Sequence, residues 1–568
     1  MAIDLLIENG FVFNSFLKRF EKKHISITDG KFYYMKDADL RYLEPAEVID
    51  AEGKYFIPGL IDIHMHIESS MIPPSTFSGA ALSYGVTTVV ADAHEIANVF
   101  GIEGIRAFMD QDTKMDIFYA IPSSVPSTTP ELETTGGIIG VDEVINLLEE
   151  PSVIALGEAM NFKGITSDPD SLIRQILRTV QSRRPFMPLE GHIPRVSGED
   201  LAKFMQAGLT ADHTHQSPES ILEKIGNGMF LEFQKKSITP ENIQILNDHD
   251  LYEHVAIITD DIMADDLLDG HLDANLRQAV EAGMPLEEAI YVTTYTPARR
   301  MGFQDRGAIM TGYKADFIML DNLDDLAIEA VYKDGVRVHT RGEEMAYPDV
   351  PTSFPNHFYK SVNARLLTEK DLQFPVVGDA TSVLCNVIRI QEVGTFTEHV
   401  QRKVPVVDGI LDFENSGLSL ILVMERYGKN GNIGFGLVEN ALTKKGAIGT
   451  TWAHDHHNLM VMGNSISDIL RVQAELLALN GGYVVSQDNE ITGSCPLPLG
   501  GILSTEPVPV LGQQLKNVRS SMRQLGYRNT NEIMSFSTLS LPVSPKIKIT
   551  DFGMMDVHTH EHIPLIAE

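Results

Sequence analysis

Between residues 57 and 300 the spacing of hydrophobic positions alternates between two patterns. Short apolar, β-branched runs recur: FIPGLIDIHMH, VTTVVAD, DIFYAIP, VIALGEA, PFMPLEGH, LTADHTH, MFLEF and HVAIITDD. Near-continuous runs of this kind predict strands buried on both faces. Between them, VDEVINLLEE, DSLIRQILRTV, EDLAKFMQAG and ESILEKIGNG place apolar residues at i, i+3 and i+4, the spacing of amphipathic helices. Gly or Pro punctuates most junctions. Eight strands with intervening helices predict an α/β fold of the (β/α)8 barrel type, with a doubly wound open sheet as the competing arrangement.

A barrel makes the strand ends informative, because such folds gather their chemistry at the C-terminal ends of the strands. The first run ends in His64 and His66, which share one face since strand side chains alternate. His94 and Glu95 follow the second, Glu158 ends the fourth, His192 the fifth, His213 the sixth and Asp260 the eighth. Taken singly, each is more often a solvated or hydrogen-bonded side chain. Four imidazoles (His64, His66, His192 and His213) with Glu158 and Asp260 suit a pair of Zn2+, Mn2+ or Fe2+ ions. Glu158 is the natural bridge, since one carboxylate can span metals about 3.5 Å apart.

Beyond the barrel, residues 341–375 are polar, Pro-punctuated and unpatterned, as in an interdomain linker. From 376 the pattern turns α+β: strand-like SVLCNVIRI, LSLILVMERYG and KGAIGTTWA, then the helix SISDILRVQAELLALNGG, expected to end on Gly481 and Gly482. AHDHHN brings His454, His456 and His457 together, either as a loop bonded to its own backbone or as one that reaches the barrel mouth. VHTHEH repeats the pattern at His558, His560 and His562, a surface metal site or a tail.

At 568 residues the chain should hold two or three domains. A net charge of −33 disfavours nucleic acid and anionic membrane as partners. Cys385 and Cys495 are the only cysteines, so a disulfide framework is excluded and a reducing compartment, the cytoplasm, is expected. They also cannot supply the Pro-Cys-x-x-Cys of the cytidine-deaminase zinc site. Neither a signal peptide nor an apolar run long enough to span a bilayer is seen.

These residues resemble the amidohydrolase superfamily and, within it, the microbial adenine deaminase family. The superfamily marks are PGLIDIHMH, the single Asp after strand eight, and a flanking split β-sandwich. HIESSM, HEIANV, GEAMNF, GHIPRVSG, TDD and AHDHHN are the marks of the narrower family. The resemblance implies five segments. Residues 1–57 and 301–340 form the sandwich halves, 58–300 the metal-dependent barrel, 341–375 a linker and 376–568 the family's C-terminal domain. It implies hydrolytic deamination, adenine plus water giving hypoxanthine plus ammonia, with two divalent ions per chain. Mn2+ is expected first, with Fe2+ or Zn2+ as alternatives. Asp260 would serve as base and then acid. Glu95 and Glu68 would protonate a ring nitrogen or orient the base, with Ser69, His94, Asp261 and His271 lining the pocket. A homo-oligomer is expected. Two departures stand out: Thr214 where relatives carry Glu, and Gln234–Lys235–Lys236–Ser237 where they carry Arg-Glu-Gly-Ser. The alternatives are deamination of another purine or cyclic amidine, cyclic amide hydrolysis, or a silent binding homologue.

Overall fold

The computed structural model describes residues 3–345 and 353–567. Eight short parallel strands lie at its centre: Leu60–Met65, Val86–Asp92, Asp116–Ile121, Val153–Ala159, Leu189–Gly191, Ala211–Asp212, Phe230–Phe233 and Val255–Ile257. The first five pair in chain order, as do the last three. Thr210 N donates to Leu189 O at 3.2 Å, which joins the two sets. At the other seam Asp260 N donates to His64 O at 3.1 Å, and a bridge pairs Met65 with Asp260. The sheet therefore closes into a barrel, and the doubly wound alternative is excluded. The first two strands are buried along their whole length, as the apolar runs required. The fifth strand is far shorter than its run, since Pro185 and Pro188 have no N–H to give a ladder.

The segments on either side of the barrel share one eight-stranded sheet. Tyr55–Pro58, which leads into the barrel, pairs antiparallel with Phe317–Leu320, which follows it. This seam fixes the entry and exit of the barrel chain side by side. Past residue 353 the expected linker is packed rather than free. Phe358 is buried and stacks on Phe100, beside the second barrel strand. A nine-stranded sheet then runs from Ser382 to Pro496 and carries the helix Ile466–Leu479. That helix begins on Ser465, whose side chain accepts from Asp468 N. It is closed one residue earlier than expected, by Asn480 in the left-handed region (φ 57°). Asn tolerates that conformation, so Gly481 is not needed for it. No described helix is long and apolar enough to cross a membrane.

Candidate metal and substrate site

Each histidine of the opening pair is held by one ring nitrogen. His66 Nδ1 donates to Asp92 O at 3.0 Å, leaving Nε2 at 3.4 Å from both Glu158 Oε1 and Asp260 Oδ1. His64 Nδ1 lies 2.8 Å from Glu232 Oε2, and its buried Nε2 has no protein partner. Both rings thus turn Nε2 to the same side, the arrangement expected when the other nitrogen sets the tautomer. Burial, with His213 alongside, pushes His64 down to about 4, so its imidazole is neutral near pH 7.

Glu158 is the hub. Its Oε2 lies 2.7 Å from His192 Nδ1 and 3.2 Å from His213 Nε2, while Oε1 faces His66 and, at 3.8 Å, His94 Nδ1. Burial opposes its charge, but His213 and His192 prevail and hold it well below the carboxylate range. The backbone here is tight. Glu158 N donates to Asp92 Oδ2 at 2.9 Å, and a Cβ at position 157 would fall 2.1 Å from that same oxygen, so only Gly157 fits. Asp260 sits at φ 61°, a left-handed turn that presents its carboxylate beside His66. Burial again resists ionisation, yet His213 and His66 keep Asp260 strongly acidic. The ligand atoms of His64, His66 and Glu158, those of Glu158, His192 and His213, and those of His66, Asp260 and Asp261 form groups compact enough for a cation.

Of the expected pocket residues, Ser69, His94 and Asp261 touch this cluster, and Glu68 lies against the Ile96 amide. Glu68 accepts from Ile96 N at 3.0 Å through Oε1, its buried Oε2 has no protein partner, and burial lifts the carboxyl to about 7. Ser69 Oγ donates to Asp261 Oδ1 at 2.5 Å. His94 lies with its ring 4.5 Å from that of His66. His271 is buried against Phe77 without a protein partner on either ring nitrogen. Glu95 faces the C-terminal region. Its Oε1 is 2.6 Å from His454 Nδ1, and its Oε2 contacts His457 Nε2 directly. Of the two placements open for AHDHHN, the structure therefore takes the one against the barrel. His558 and His562 stay exposed on a small three-stranded sheet. A cavity of about 460 Å3 flanks the third and fourth strand ends, between Ser124, Asn161, Lys163 and His560.

Thr214 and Gln234 do not reach into the cluster, whereas Lys236, in the second departure, adds positive charge that helps keep Asp260 ionised. The Thr214 hydroxyl donates to Asp212, at 3.0 and 2.9 Å from its two oxygens, and Gln234 Nε2 donates to His213 O at 2.8 Å. Both side chains brace the strand end that carries His213. Sequence reasoning missed Glu232 and Asp92, the partners that orient His64 and His66. Glu232 is a lone carboxylate within a buried strand, the one signal the sequence carried, whereas Asp92 holds His66 by its backbone carbonyl, which no side-chain pattern reports.

The amidohydrolase family model matches residues 55–338, and the adenine deaminase C-terminal domain matches residues 394–561. Similarity to named relatives is end to end. An adenine deaminase 2 of Oenococcus oeni is 51% identical over 99% of this chain and 98% of its own length. The adenine deaminase of Lactobacillus delbrueckii subsp. bulgaricus is 50% identical over 99% of both chains. The chain belongs to the adenine deaminase family. A third member, from Clostridium perfringens, is 51% identical over 98% of both chains. The amidohydrolase family implies a divalent metal, and the compact histidine–carboxylate groups fit one: a neutral His64 with a free, buried Nε2 beside an ionised Glu158.

Proposed function

We propose that the chain deaminates adenine by hydrolysis, giving hypoxanthine and ammonia, and works in the cytoplasm in purine salvage. The carrying observation is Glu158, one carboxylate placed between His66 on one oxygen and His192 and His213 on the other. His64, His66, Glu158, His192, His213 and Asp260 would hold two divalent ions. A donor set of imidazole and carboxylate without thiolate suits Mn2+, with Fe2+ or Zn2+ as alternatives. When bound, such ions supply Lewis acidity and lower the pKa of water from about 15.7 towards about 7.

The chain's own groups manage the protons. Asp260, kept ionised by His213 and His66, accepts a proton at a carboxylate oxygen and passes it to the departing amine, base first and acid second. Glu68, lifted by burial to about 7, still carries a proton near neutrality and offers it from Oε2 to a ring nitrogen; of the attacking water's two protons, one passes through Asp260 to the amine and the other restores Glu68. Ser69 and Asp261 fix each other beside Asp260. The Thr214 and Gln234 substitutions are compatible with adenine, because both side chains are bonded to scaffold atoms. The test is ammonia release from a panel of purines and pyrimidines by Mn2+-loaded protein. Adenine should lead it, and activity confined to cyclic amides would reject deamination.

A further inference from the structure

We propose that His454, a residue of the C-terminal half, is a catalytic residue of the same pocket, its Nε2 hydrogen-bonded to the edge of the bound purine. The inference rests on the deaminase reading above. His454 follows the strand Ala447–Thr450 and is only 4% exposed, although it is polar. Its Nδ1 hydrogen-bonds to Asp455 Oδ1 at 3.1 Å and faces the barrel at 2.6 Å from Glu95 Oε1. Its Nε2 is buried and has no protein partner. A buried ring nitrogen without a partner costs about 1–3 kcal/mol, so a site that retains one is suited to a ligand that supplies the bond.

The surroundings say which ligand. Glu95 follows His94, whose ring packs on His66, so His454 reaches the barrel at the second strand end. Asp261, next to Asp260 and bonded to Ser69, attracts the His454 imidazole electrostatically. The ring therefore lies on the Glu95 side of the mouth, with Asp261 near enough to act on its charge. The one tryptophan of the chain, Trp452, packs edge-on to His454 with ring centroids 4.4 Å apart, and its buried Nε1 is likewise unpartnered. A nitrogen-rich heterocycle offers hydrogen-bond partners to such unpaired nitrogens.

The loop is built to hold this position. Buried Arg426 donates to His457 O and to Ser361 O and Gly500 O, so a full guanidinium is spent on backbone carbonyls around it. Ser540 Oγ donates to His454 O at 3.1 Å, and Asn458 Nδ2 donates to Thr134 O at 2.8 Å, tying the loop to the segment after the third barrel strand. Glu95, with both oxygens facing His454 and His457, then acts as a positioning residue rather than as a proton donor to the ring.

The experiment compares the full-length, Mn2+-loaded wild type with His454→Ala and His454→Gln. Ammonia release from adenine, metal content and thermal midpoint are measured, and Trp452 emission is followed during titration with hypoxanthine. The expected result is kcat/KM at least thirtyfold lower in both variants, metal content and midpoint unchanged, and a saturable emission change in the wild type that weakens in the variants. Variants within threefold of an active wild type overturn the inference and leave the deaminase reading standing, as does a loss of metal or of the folding transition in both, which would make His454 scaffold. A wild type that releases no ammonia overturns the deaminase reading, and the inference with it.

Discussion

Replacing Glu232 tests whether His64 is aimed by a carboxylate from the seventh strand. Glu232 is fully buried, with Oε2 2.8 Å from His64 Nδ1. Burial lifts it to about 7, so at pH 8 it is mostly ionised. The contact is a close charge pairing whose upper bound is that of a charged hydrogen bond, about 1.5–3 kcal/mol, against about 0.5–1.5 for a neutral one. Glu232→Gln keeps the shape and one acceptor, so it should lose about 1–1.5 kcal/mol, roughly tenfold in metal affinity. Glu232→Leu removes the acceptor and should cost about a hundredfold, the upper end for partners that orient a ligating imidazole. Competition for Mn2+ against a fluorescent chelator at pH 8 measures both. Affinities within twofold of wild type in both variants would refute the reasoning and leave Glu232 as part of the buried group of Glu190 and Arg300 alone.

Glu158→Gln should lose both metal ions together, read by elemental analysis of the purified variant, and a full complement would remove Glu158 from the bridging position. Asp260→Asn should lower turnover by about 10²–10⁴ with little change in thermal stability; activity within a few-fold of wild type would move the proton to Asp261. Lys548 is buried with one hydrogen bond, to Thr395 O at 2.8 Å, and burial pushes it down to about 7. Its folded value lies below its unfolded one, so folding disfavours the charged form: the penalty is absent above about 10.5, grows as pH falls, and is complete below about 7. Lys548→Met should therefore stabilise the protein by up to about 4 kcal/mol at pH 6.5 and by much less at pH 9.5, measured by urea unfolding, and equal gains at both pH values would contradict this.

The barrel was legible because its strands are buried on both faces and its chemistry lies where those runs stop. His64, His66, Glu158, His192, His213 and Asp260 could be read one strand end at a time. Strand extent was not. Ala211–Asp212 pairs over two residues where LTADHTH offered seven, because backbone pairing ends where the strand turns out toward the mouth. Glu232 and Asp92 escaped because their spacing matches that of any strand and only the closed barrel shows what they face. The contact between Glu95 and His457 joins residues 362 apart, which no local pattern reports. The same holds for Phe358, whose polar surroundings in the chain hide its stacking on Phe100.

The central claim is tested most directly by incubating Mn2+-loaded protein with adenine and measuring hypoxanthine and ammonia together. The account predicts the two products in equal amounts, abolished by a chelator and restored by Mn2+. Protein carrying two metal ions per chain that yields neither product from adenine would contradict it.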